Sequence, residues 1–456
     1  MKNVNFVVLA AGKGTRMKSS VPKVLHKLAG RSMLRHVIDA TKTVGESKKV
    51  IVTGHGAEQV EETFESADTK FVRQEDQLGT AHAVSMAIPE LCADAIVVVL
   101  YGDVPLIRPV TLQRMLASVN KKSMGLLTIS LDDPDGYGRI VRSADGLIES
   151  IVEQKDATNE QRNICEINTG VMALTSLQLR NWLPQISNNN AQGEYYLTDI
   201  IAIARQNGIE VNSINPESVT EVEGVNSRLQ LSQLERAHQL ELAKQLMESG
   251  TTLADPARFD QRGQLSVGTD NFIDINCIFE GNVTIGSNVS IGPNCCIINS
   301  TIGNDVEILA NTIIDSSEVG DSAVIGPFAR IRPGTELAEH TKVGNFVETK
   351  KSQVGKGSKI NHLSYVGDSE LGENVNIGAG TITCNYDGVE KHKTLLGDGV
   401  FVGSNSTLVA PITVGNGGFI AAGSTITTKV PKDSLGVGRG KQRNIKGWQR
   451  PIKRED

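Results

Sequence analysis

The chain has 456 residues, of which 39% are hydrophobic and 21% are charged, a composition typical of folded globular proteins with ample core. Its formal net charge of -6 excludes the basic surplus that nucleic-acid-binding proteins usually carry, and no apolar run is long enough to span a bilayer. Because the N-terminus does not read as a secretory signal and the six cysteines form no Cys-x-x-Cys motif, the sequence predicts a reduced cytoplasmic protein that binds neither nucleic acid nor membrane.

The first part of the chain alternates apolar, β-rich runs with helix-like segments. The apolar runs lie at residues 6–9, 50–53, 95–100 and 126–130. Such alternation is typical of a Rossmann-like α/β domain with a mostly parallel sheet, and we assign this domain to residues 1–226. Glycine or acidic residues follow the strand ends, which is where open α/β sheets gather their ligands.

Residues 227–250 have the pattern of one helix. Apolar residues and one histidine recur there at spacings of three and four, ahead of a glycine that favours a helix end: Leu231, Leu234, His238, Leu242, Leu246 and Gly250. We interpret this segment as a linker helix between two domains. The alternative is an ordinary last helix of the first domain.

From about residue 265 an aliphatic residue followed by glycine recurs with a period of six, as in Ile285-Gly286 and Ile291-Gly292. This period predicts a parallel β-helix at 251–456, in which each aliphatic side chain points inward and glycine helps the chain to turn each corner. The break between Thr383 and Leu396 predicts a projecting loop. The positions in register, aliphatic except for Thr383, are 285, 291 and 297; 302 and 308; 319, 325 and 331; 354, 360 and 366; and 371, 377 and 383.

The segment at 9–17 reads LAAGKGTRM and directly follows the first predicted strand. Small residues let backbone N–H groups approach phosphate oxygens, while Arg16 and Lys23 can neutralise their charge. The segment lacks the GK[ST] ending of a P-loop and the third glycine of a dinucleotide fingerprint. It predicts a nucleotide site that includes Leu9, Ala10, Ala11, Gly12, Arg16 and Lys23.

Two further motifs extend this candidate site. The run QEDQLGT at 74–80 offers Gln74, Gly79 and Thr80 to the edge of a pyrimidine base. Tyr101-Gly102-Asp103 follows an apolar strand, so the Asp103 carboxylate can hold Mg²⁺, an ion that prefers oxygen ligands. A capping or turn aspartate is the alternative for Asp103 taken alone.

Together these motifs resemble the signature of sugar nucleotidyltransferases. The resemblance implies that Gly138, Glu153 and Asn168 bind the sugar and that Asn226 is a second Mg²⁺ ligand beside Asp103. It also implies a reaction without a nucleophilic side chain, in which a sugar phosphate attacks the α-phosphorus of UTP and pyrophosphate leaves.

The whole chain resembles the bifunctional N-acetylglucosamine-1-phosphate uridylyltransferase/glucosamine-1-phosphate N-acetyltransferases. The motifs in the second half are RIRPG (330–334), GNFVETKK (344–351), NHLSYVGD (361–368), NIGAGTITCNYDG (376–388) and FVGSN (401–405). The resemblance implies a left-handed β-helix of hexapeptide repeats that assembles as a homotrimer. It implies that glucosamine 1-phosphate is acetylated by acetyl-CoA, and that N-acetylglucosamine 1-phosphate then receives UMP from UTP. The product would feed peptidoglycan and lipopolysaccharide synthesis.

Acetyl transfer to an amine needs a base, and His362 is the candidate because its free pKa lies near neutrality. The remaining roles rest on the resemblance alone. It implies that the sugar phosphate is bound by Arg332, Lys350, Tyr365 and Asn376, and that acetyl-CoA is bound by Ala379, Asn385, Tyr386, Ser404, Ala422 and Arg439.

Three alternatives compete with a bifunctional enzyme. In a monofunctional sugar-1-phosphate nucleotidyltransferase, the β-helix would be non-catalytic, and the cluster around His362 would be unnecessary. A β-helix zinc enzyme of the carbonic anhydrase type needs three converging histidines, whereas His340, His362 and His392 lack paired spacing. A non-catalytic β-helix protein leaves the first half of the chain unexplained.

Overall fold

The computed structural model describes residues 3–64, 68–451 and 453. The chain divides into two compact units, Met1–His238 and Gln239–Asp456. This division falls inside the predicted linker helix. The domain boundaries predicted from sequence, at 226 and 250, stay predictions. No helix among the described residues is both long and apolar enough to cross a membrane.

The first unit is built around one mixed sheet flanked by helices. Its strands run in the order Glu210–Ile214, Ser123–Ser130, Glu166–Thr175, Ala95–Tyr101, Asn3–Leu9, Ser47–Thr53 and Thr69–Arg73, and the hairpin of Arg139–Arg142 and Ile148–Val152 is attached to Glu166–Thr175. The bounds, in chain order, are β1 (Asn3–Leu9), β2 (Lys27–Leu28), β3 (Arg31–Ser32), α1 (Met33–Lys42), β4 (Ser47–Thr53), α2 (Ala57–Phe64), β5 (Thr69–Arg73), α3 (Thr80–Ala87), β6 (Ala95–Tyr101), α4 (Pro109–Ala117), β7 (Ser123–Ser130), β8 (Arg139–Arg142), β9 (Ile148–Val152), α5 (Asn159–Arg162), β10 (Glu166–Thr175), α6 (Ser176–Trp182), α7 (Ile200–Gln206) and β11 (Glu210–Ile214).

The central strand β1 shows why these residues form a buried sheet. Phe6 and Val8 pack in the core on one face of the sheet, while Val7 and Leu9 pack in the core on the other. A strand covered on both faces needs apolar residues at successive positions, which is the pattern at 6–9. The strand pairs parallel with β4 and β6, and β10 alone runs antiparallel to its neighbours β6 and β7 within the main order. The prediction of a mostly parallel sheet is confirmed.

The helix α8 (Arg228–Glu248) lies within the segment that the spacing predicts, and Gly250 follows it with a φ of 98°. Leu234 and Leu246 of the predicted stripe are buried, but Gln239 and Ala243 are buried as well. The Gln239 side chain tolerates burial because it donates to the Gln261 carbonyl at 2.7 Å and accepts from the Gln261 N–H at 2.8 Å.

The second unit is a parallel β-helix, which confirms the predicted fold class. One face of the helix is formed by Thr251–Leu253, Asn271–Ile273, Ser290–Ile291, Glu307–Ile308, Val324–Ile325, Lys342–Asn345, Lys359–His362, Asn376–Ile377, Phe401–Val402, Phe419–Ile420 and Leu435–Gly436. We call this the first face.

The other two faces share one continuous sheet. Its strands are Phe259–Val267, Cys277–Ile285, Cys296–Ile298, Thr301–Ile302, Ile313–Asp315, Glu318–Val319, Arg330–Ile331, Glu336–Leu337, Glu348–Lys350, Gln353–Val354, Tyr365–Gly367, Ser369–Leu371, Ile382–Cys384, Thr394–Leu396, Thr407–Val409, Ile412–Val414 and Thr425–Ile426. We call the face that carries Arg330–Ile331, Glu348–Lys350 and Tyr365–Gly367 the second face.

The six-residue period fills the interior with aliphatic columns. Along the first face Val343, Ile360, Ile377, Val402 and Ile420 pair in successive coils, and each is 3% exposed or less. Burying each such side chain contributes roughly 1.5–3 kcal/mol, so the column stabilises every coil against the next.

Glycine has a different role from the one that the repeat suggests. Gly286 has no left-handed φ, but a Cβ on it would lie 2.7 Å from the Gly303 carbonyl oxygen of the next coil. The glycine after each aliphatic residue therefore permits close stacking of coils, and most left-handed corner positions carry other residues. At one corner Asn276, Asn294 and Asn311 form a ladder of side-chain hydrogen bonds, at 3.0 and 3.2 Å.

The same corner carries apolar residues further along the helix. Phe328, Phe346 and Leu363 have φ values of 57°, 56° and 50° and are 49%, 57% and 62% exposed. The two phenylalanine rings stack with their centroids 5.3 Å apart. Beyond Thr383 the chain leaves the coil in a loop, closed by a bridge between Tyr386 and Lys391, before it returns at Thr394.

Replacing Ile360 by alanine should lower the free energy of unfolding by about 2–5 kcal/mol, because it leaves a cavity in the central aliphatic column. Denaturant titration followed by circular dichroism measures this loss. Lys359→Ala is the matched control, since Lys359 is exposed on the same strand. Equal losses in both variants would contradict the inward column as the source of stability.

Candidate active sites

A cavity of about 280 Å³ opens where β1, β5 and β6 end. It is lined by Leu9, Ala10, Ala11, Gly12, Lys23, Val24, Gln74, Gln77, Gly79, Thr80, Ala83, Tyr101, Asp103 and Glu194. Ten of the residues predicted for the nucleotide site are in this lining. Parallel strands bring them together because their carboxyl ends share one edge of the sheet.

The glycine-rich segment is held against the sheet by backbone hydrogen bonds. The Ala10 N–H donates to the Val52 carbonyl at 2.8 Å, and the Gly102 N–H donates to the Leu9 carbonyl at 2.9 Å. Gly14 has a φ of 58°, and a Cβ there would lie 2.8 Å from Cβ of Lys23. The segment thus passes close to Lys23, whereas Arg16 is exposed and lies outside the cavity lining.

Lys23, Asp103 and Asn226 meet although they are far apart in the chain. The Lys23 ammonium group contacts the Asp103 carboxylate and lies 3.2 Å from Oδ1 of Asn226. The Val225 N–H donates to the Asp103 carbonyl at 2.9 Å, which fixes Asn226 beside the cavity. The side-chain oxygens of Asp103 and Asn226 already converge on a cation. They are suitable ligands for Mg²⁺, which takes one or two protein ligands and completes its coordination shell with phosphates and water.

The residues predicted to bind the sugar form a second group around Tyr101. The Gly138 carbonyl accepts from the Asn168 N–H at 2.8 Å, and a Cβ on Gly138 would lie 3.4 Å from both oxygens of the Glu153 carboxylate. Burial raises the pKa of the Tyr101 hydroxyl, and the charges of Asp103 and Glu153 raise it further. The phenol therefore stays protonated at neutral pH and can donate a hydrogen bond.

Burial also raises the pKa of the Glu153 carboxyl group. The Thr198 hydroxyl opposes this shift by donating to Glu153 at 3.1 Å, while Asp156 and Asp199 add to it. Glu153 does not belong to the lining of the 280 Å³ cavity, and its carboxyl group lies partly desolvated beside Thr198.

Sequence reasoning missed four residues of the cavity lining, Val24, Gln77, Ala83 and Glu194. Gln77 lies within the motif at 74–80, and its amide donates to the Ala11 carbonyl at 2.6 Å. This bond ties the predicted base-binding segment to the glycine-rich segment. Glu194 comes from a distant loop that no local motif connects to the others.

In the second unit, the register of the first face aligns candidate residues along one edge. Asn345 pairs with His362, and Ala379, Ser404 and Ala422 occupy the same position in the following coils. Arg439 joins the upper end of this column, since its guanidinium donates to the Ala422 carbonyl at 2.9 Å. The column thus contains the predicted base and four of the residues predicted to bind acetyl-CoA.

The orientation of the His362 ring follows from its neighbour. Nδ1 of His362 lies 2.9 Å from Oδ1 of Asn345, and an amide oxygen can only accept a hydrogen bond. Nδ1 therefore carries the hydrogen in the neutral ring, which leaves a lone pair on Nε2. Asn345 was missed from sequence, although it lies in the run 344–351, because the contact spans one full coil.

The second face holds a cationic group. Arg332 donates to Glu348 at 2.7 Å, and Lys350 lies close enough to Lys391 of the projecting loop to lower the pKa of Lys391. The neighbouring ammonium groups of Lys350 and Lys391 favour the binding of an anion, which would reduce their mutual repulsion. Lys391 is a further residue that sequence reasoning did not single out.

Tyr365 belongs to the same face. The Asn385 amide donates to the Tyr365 hydroxyl at 3.4 Å and contacts the carboxylate of Asp368. Two other predicted residues are not brought into these groups by any described contact. Asn376 lies on the first face, and Tyr386 is 59% exposed in the loop, where its hydroxyl donates to the Gly388 carbonyl.

The histidines of the β-helix do not converge. His392 pairs with Asp387 at 2.7 Å in the loop, and His362 pairs with Asn345. Across residues 3–64, 68–451 and 453, no group of three His, Cys, Asp or Glu side chains could hold a metal ion.

Residues 6–163 match a family described as the MobA-like NTP transferase domain, and residues 262–354 match one described as the GMPPB C-terminal domain. The chain is 58% identical over 453 residues to the bifunctional protein GlmU of Marinobacter nauticus, covering 99% of this chain and 100% of the relative. It is 55% identical over 451 residues to the bifunctional protein GlmU of Cellvibrio japonicus, with the same coverage. A solved nucleotidyl transferase from Methanothermobacter thermautotroptrophicus aligns with a TM-score of 0.39 at 20% identity, covering 53% of this chain and 100% of that chain.

Glu153→Gln should stabilise the first unit at pH 7–8, with a thermal midpoint higher by about 2–4 °C. The pKa of Glu153 is raised in the folded chain, so its favourable contribution is present at low pH and is lost as pH rises through that pKa. Thermal melts at pH 4 and pH 8 measure the effect, which should vanish at pH 4. Glu149→Gln, exposed on β9 just before Glu153, is the control, and a pH-independent gain would contradict this account.

Proposed function

The chain belongs to the family of bifunctional GlmU proteins, and on that basis we propose that it makes UDP-N-acetylglucosamine from glucosamine 1-phosphate in two reactions. The predicted family membership is confirmed by two bifunctional relatives that match nearly the whole chain. They also argue against the monofunctional alternative. The observation that carries the proposal is that each unit has its own reactive cluster, Lys23–Asp103–Asn226 in the first and Asn345–His362 in the second.

The first unit would transfer UMP to N-acetylglucosamine 1-phosphate. A phosphate oxygen of the sugar phosphate attacks the α-phosphorus of UTP, and the bond to the β-phosphate bridging oxygen breaks to release pyrophosphate. Binding and orientation supply the rate, because no covalent enzyme intermediate is needed. Lys23 and the backbone N–H groups of Ala11 and Gly12 would bind the phosphates, and Gln74 and Gly79 would bind the base. Glu153 and Asn168 would bind the sugar.

Asp103 and Asn226 would hold Mg²⁺, since their oxygens already converge on one cation. When bound, the ion would supply positive charge that neutralises the phosphates. The Lys23 ammonium group, which contacts both residues, would then be available to the phosphates.

The second unit would acetylate the amine of glucosamine 1-phosphate. Nε2 of His362 takes a proton from the ammonium group, and the free amine attacks the thioester carbonyl of acetyl-CoA. The C–S bond then breaks, the sulfur takes the proton that the attacking nitrogen loses, and CoA leaves as the thiol. The column of Ala379, Ser404, Ala422 and Arg439 would bind the coenzyme beside His362.

The cations of the second face would bind the sugar phosphate. Lys350 and Lys391 are neighbouring cations, and Arg332 lies on the same face in an ion pair with Glu348. The lowered pKa of Lys391 shows the repulsion from Lys350 that an anion would relieve. Tyr365, Asn376, Asn385 and Tyr386 would complete the substrate and coenzyme contacts.

We propose a homotrimer assembled through the β-helix. The exposed corner of Phe328, Phe346 and Leu363 supports this, because apolar residues of this size are usually covered. A cytoplasmic location accords with the use of UTP and acetyl-CoA as substrates.

Separate knockouts test the two-site proposal in one coupled assay. His362→Ala should reduce acetyl transfer by about 100-fold or more and leave uridylyl transfer intact, because only the base is lost. Asp103→Ala should do the reverse, since it removes a ligand of the proposed Mg²⁺. The assay supplies acetyl-CoA, glucosamine 1-phosphate, UTP and Mg²⁺ and follows CoA and pyrophosphate separately. For His362→Ala, N-acetylglucosamine 1-phosphate is also added directly, because this variant would not make the acceptor of the uridylyl group.

Omitting UTP should leave CoA release by the unmodified protein unchanged, which serves as the internal control. If the unmodified protein releases pyrophosphate only when N-acetylglucosamine 1-phosphate is added directly, the β-helix returns to a non-catalytic role. Loss of both reactions in either folded variant would contradict independent sites.

Asn345→Leu should lower kcat for acetyl transfer by about 10-fold, because His362 loses the acceptor that fixes its ring and tautomer. Asn345→Asp keeps an acceptor at that position and is the matched control. The comparison uses steady-state CoA release across pH 6–9. A leucine variant with the kcat and pH profile of the unmodified protein would exclude this role.

A further inference from the structure

Gln74 presents one defined side of its amide to the nucleotide cavity. The residue follows β5, its backbone N–H donates to the Thr53 carbonyl at 2.8 Å, and its side chain is 4% exposed. Nε2 of Gln74 lies 3.1 Å from the Gly79 carbonyl oxygen and 3.1 Å from Nδ1 of His82. Both contacts come from the segment that starts α3, so the amide is held from one side.

The chemistry of these two neighbours fixes which amide atom points where. A carbonyl oxygen can only accept, so the atom of Gln74 that faces Gly79 must be the NH₂ nitrogen. Its second hydrogen points to Nδ1 of His82, which must then be an unprotonated acceptor with the hydrogen on Nε2. Among the described residues no donor reaches Oε1 of Gln74, and this oxygen is the part of the amide left for a ligand in the cavity.

A hydrogen-bond acceptor at Oε1 of Gln74 distinguishes uracil from cytosine. Uracil carries N–H at N3 and can donate to Oε1, whereas N3 of cytosine is itself an acceptor and would face a second acceptor. Sites built around one hydrogen-bond pattern reject a base that leaves buried polar groups unpaired.

We propose that His82 is a positioning residue for nucleotide specificity: its Nδ1 lone pair holds the Gln74 amide with the carbonyl oxygen toward the cavity, and this orientation selects uracil over cytosine. The inference rests on the proposed uridylyl transfer and deepens it. His82 acts only through Gln74, since it does not line the cavity at the nucleotide site.

The test compares UTP with CTP as substrates of the full chain. Pyrophosphate release is measured with N-acetylglucosamine 1-phosphate and Mg²⁺, and the readout is the ratio of kcat/KM for the two nucleotides. In His82→Leu the second amide hydrogen has no acceptor and the Gly79 carbonyl alone holds the amide, so the amide rotates more easily and the UTP/CTP ratio should fall by about 10-fold. His82→Asn offers an amide oxygen near the position of Nδ1 and should retain most of the ratio.

Ser85→Ala is the matched control. Ser85 lies on the same helix, its hydroxyl donates to the His82 carbonyl at 2.7 Å, and it has no described contact with Gln74. This variant should keep the ratio of the unmodified protein. A purely structural role of His82 would lower kcat/KM for both nucleotides together and leave the ratio unchanged, and that result would overturn the proposal.

Two further results separate the possible failures. If the unmodified protein releases no pyrophosphate from UTP, the proposed function fails, whereas an active protein whose ratio is unaffected by His82→Leu refutes only the role of His82. If the leucine variant does not fold, ¹⁵N NMR of histidine-labelled unmodified protein decides. The proposal requires Nδ1 of His82 to be the unprotonated ring nitrogen, and a hydrogen on Nδ1 would refute it.

Discussion

Parallel strand pairing is the constraint on which both candidate sites depend. In the first unit β1, β4, β5 and β6 run in one direction, so the segments that follow them emerge at the same edge. In the second unit each strand pairs with one about a coil later, and equivalent positions stack. One arrangement gathers loops around a cavity, and the other aligns single residues along an edge.

Backbone geometry then sets how closely these segments approach. At Gly79, whose φ is 119°, a Cβ would lie 2.5 Å from the Tyr195 carbonyl, so the turn before α3 can pack tightly only without a side chain. In the β-helix the glycine after each aliphatic residue lets one coil rest on the next. The catalytic candidates therefore sit on frameworks with little room to shift, which favours precise positioning.

In both units, reactive side chains are oriented by oxygen atoms that can accept hydrogen bonds but cannot donate them. Oδ1 of Asn345 assigns the hydrogen of His362 to Nδ1, and the Gly79 carbonyl assigns the amide nitrogen of Gln74. Lys23 is held in a comparable way between the oxygens of Asp103 and Asn226. In each case a neighbour that can only accept decides which face of a functional group is left for a ligand.

The sequence by itself determined the period of the β-helix, the strand–turn motif at 9–17, the segments at 74–80 and 101–103, and the candidate base His362. These features are local, because they depend on spacing and residue type within a few turns of chain. Only the tertiary structure decided that β10 runs antiparallel, that Asn345 lies under His362 and that Lys391 reaches Lys350. In the β-helix, coil lengths of 17 or 18 residues place Asn345 beside His362, and the loop after Thr383 brings Lys391 to Lys350. Residues this far apart in sequence share no local pattern. Contacts between them exist only once backbone hydrogen bonds have fixed the register of the strands.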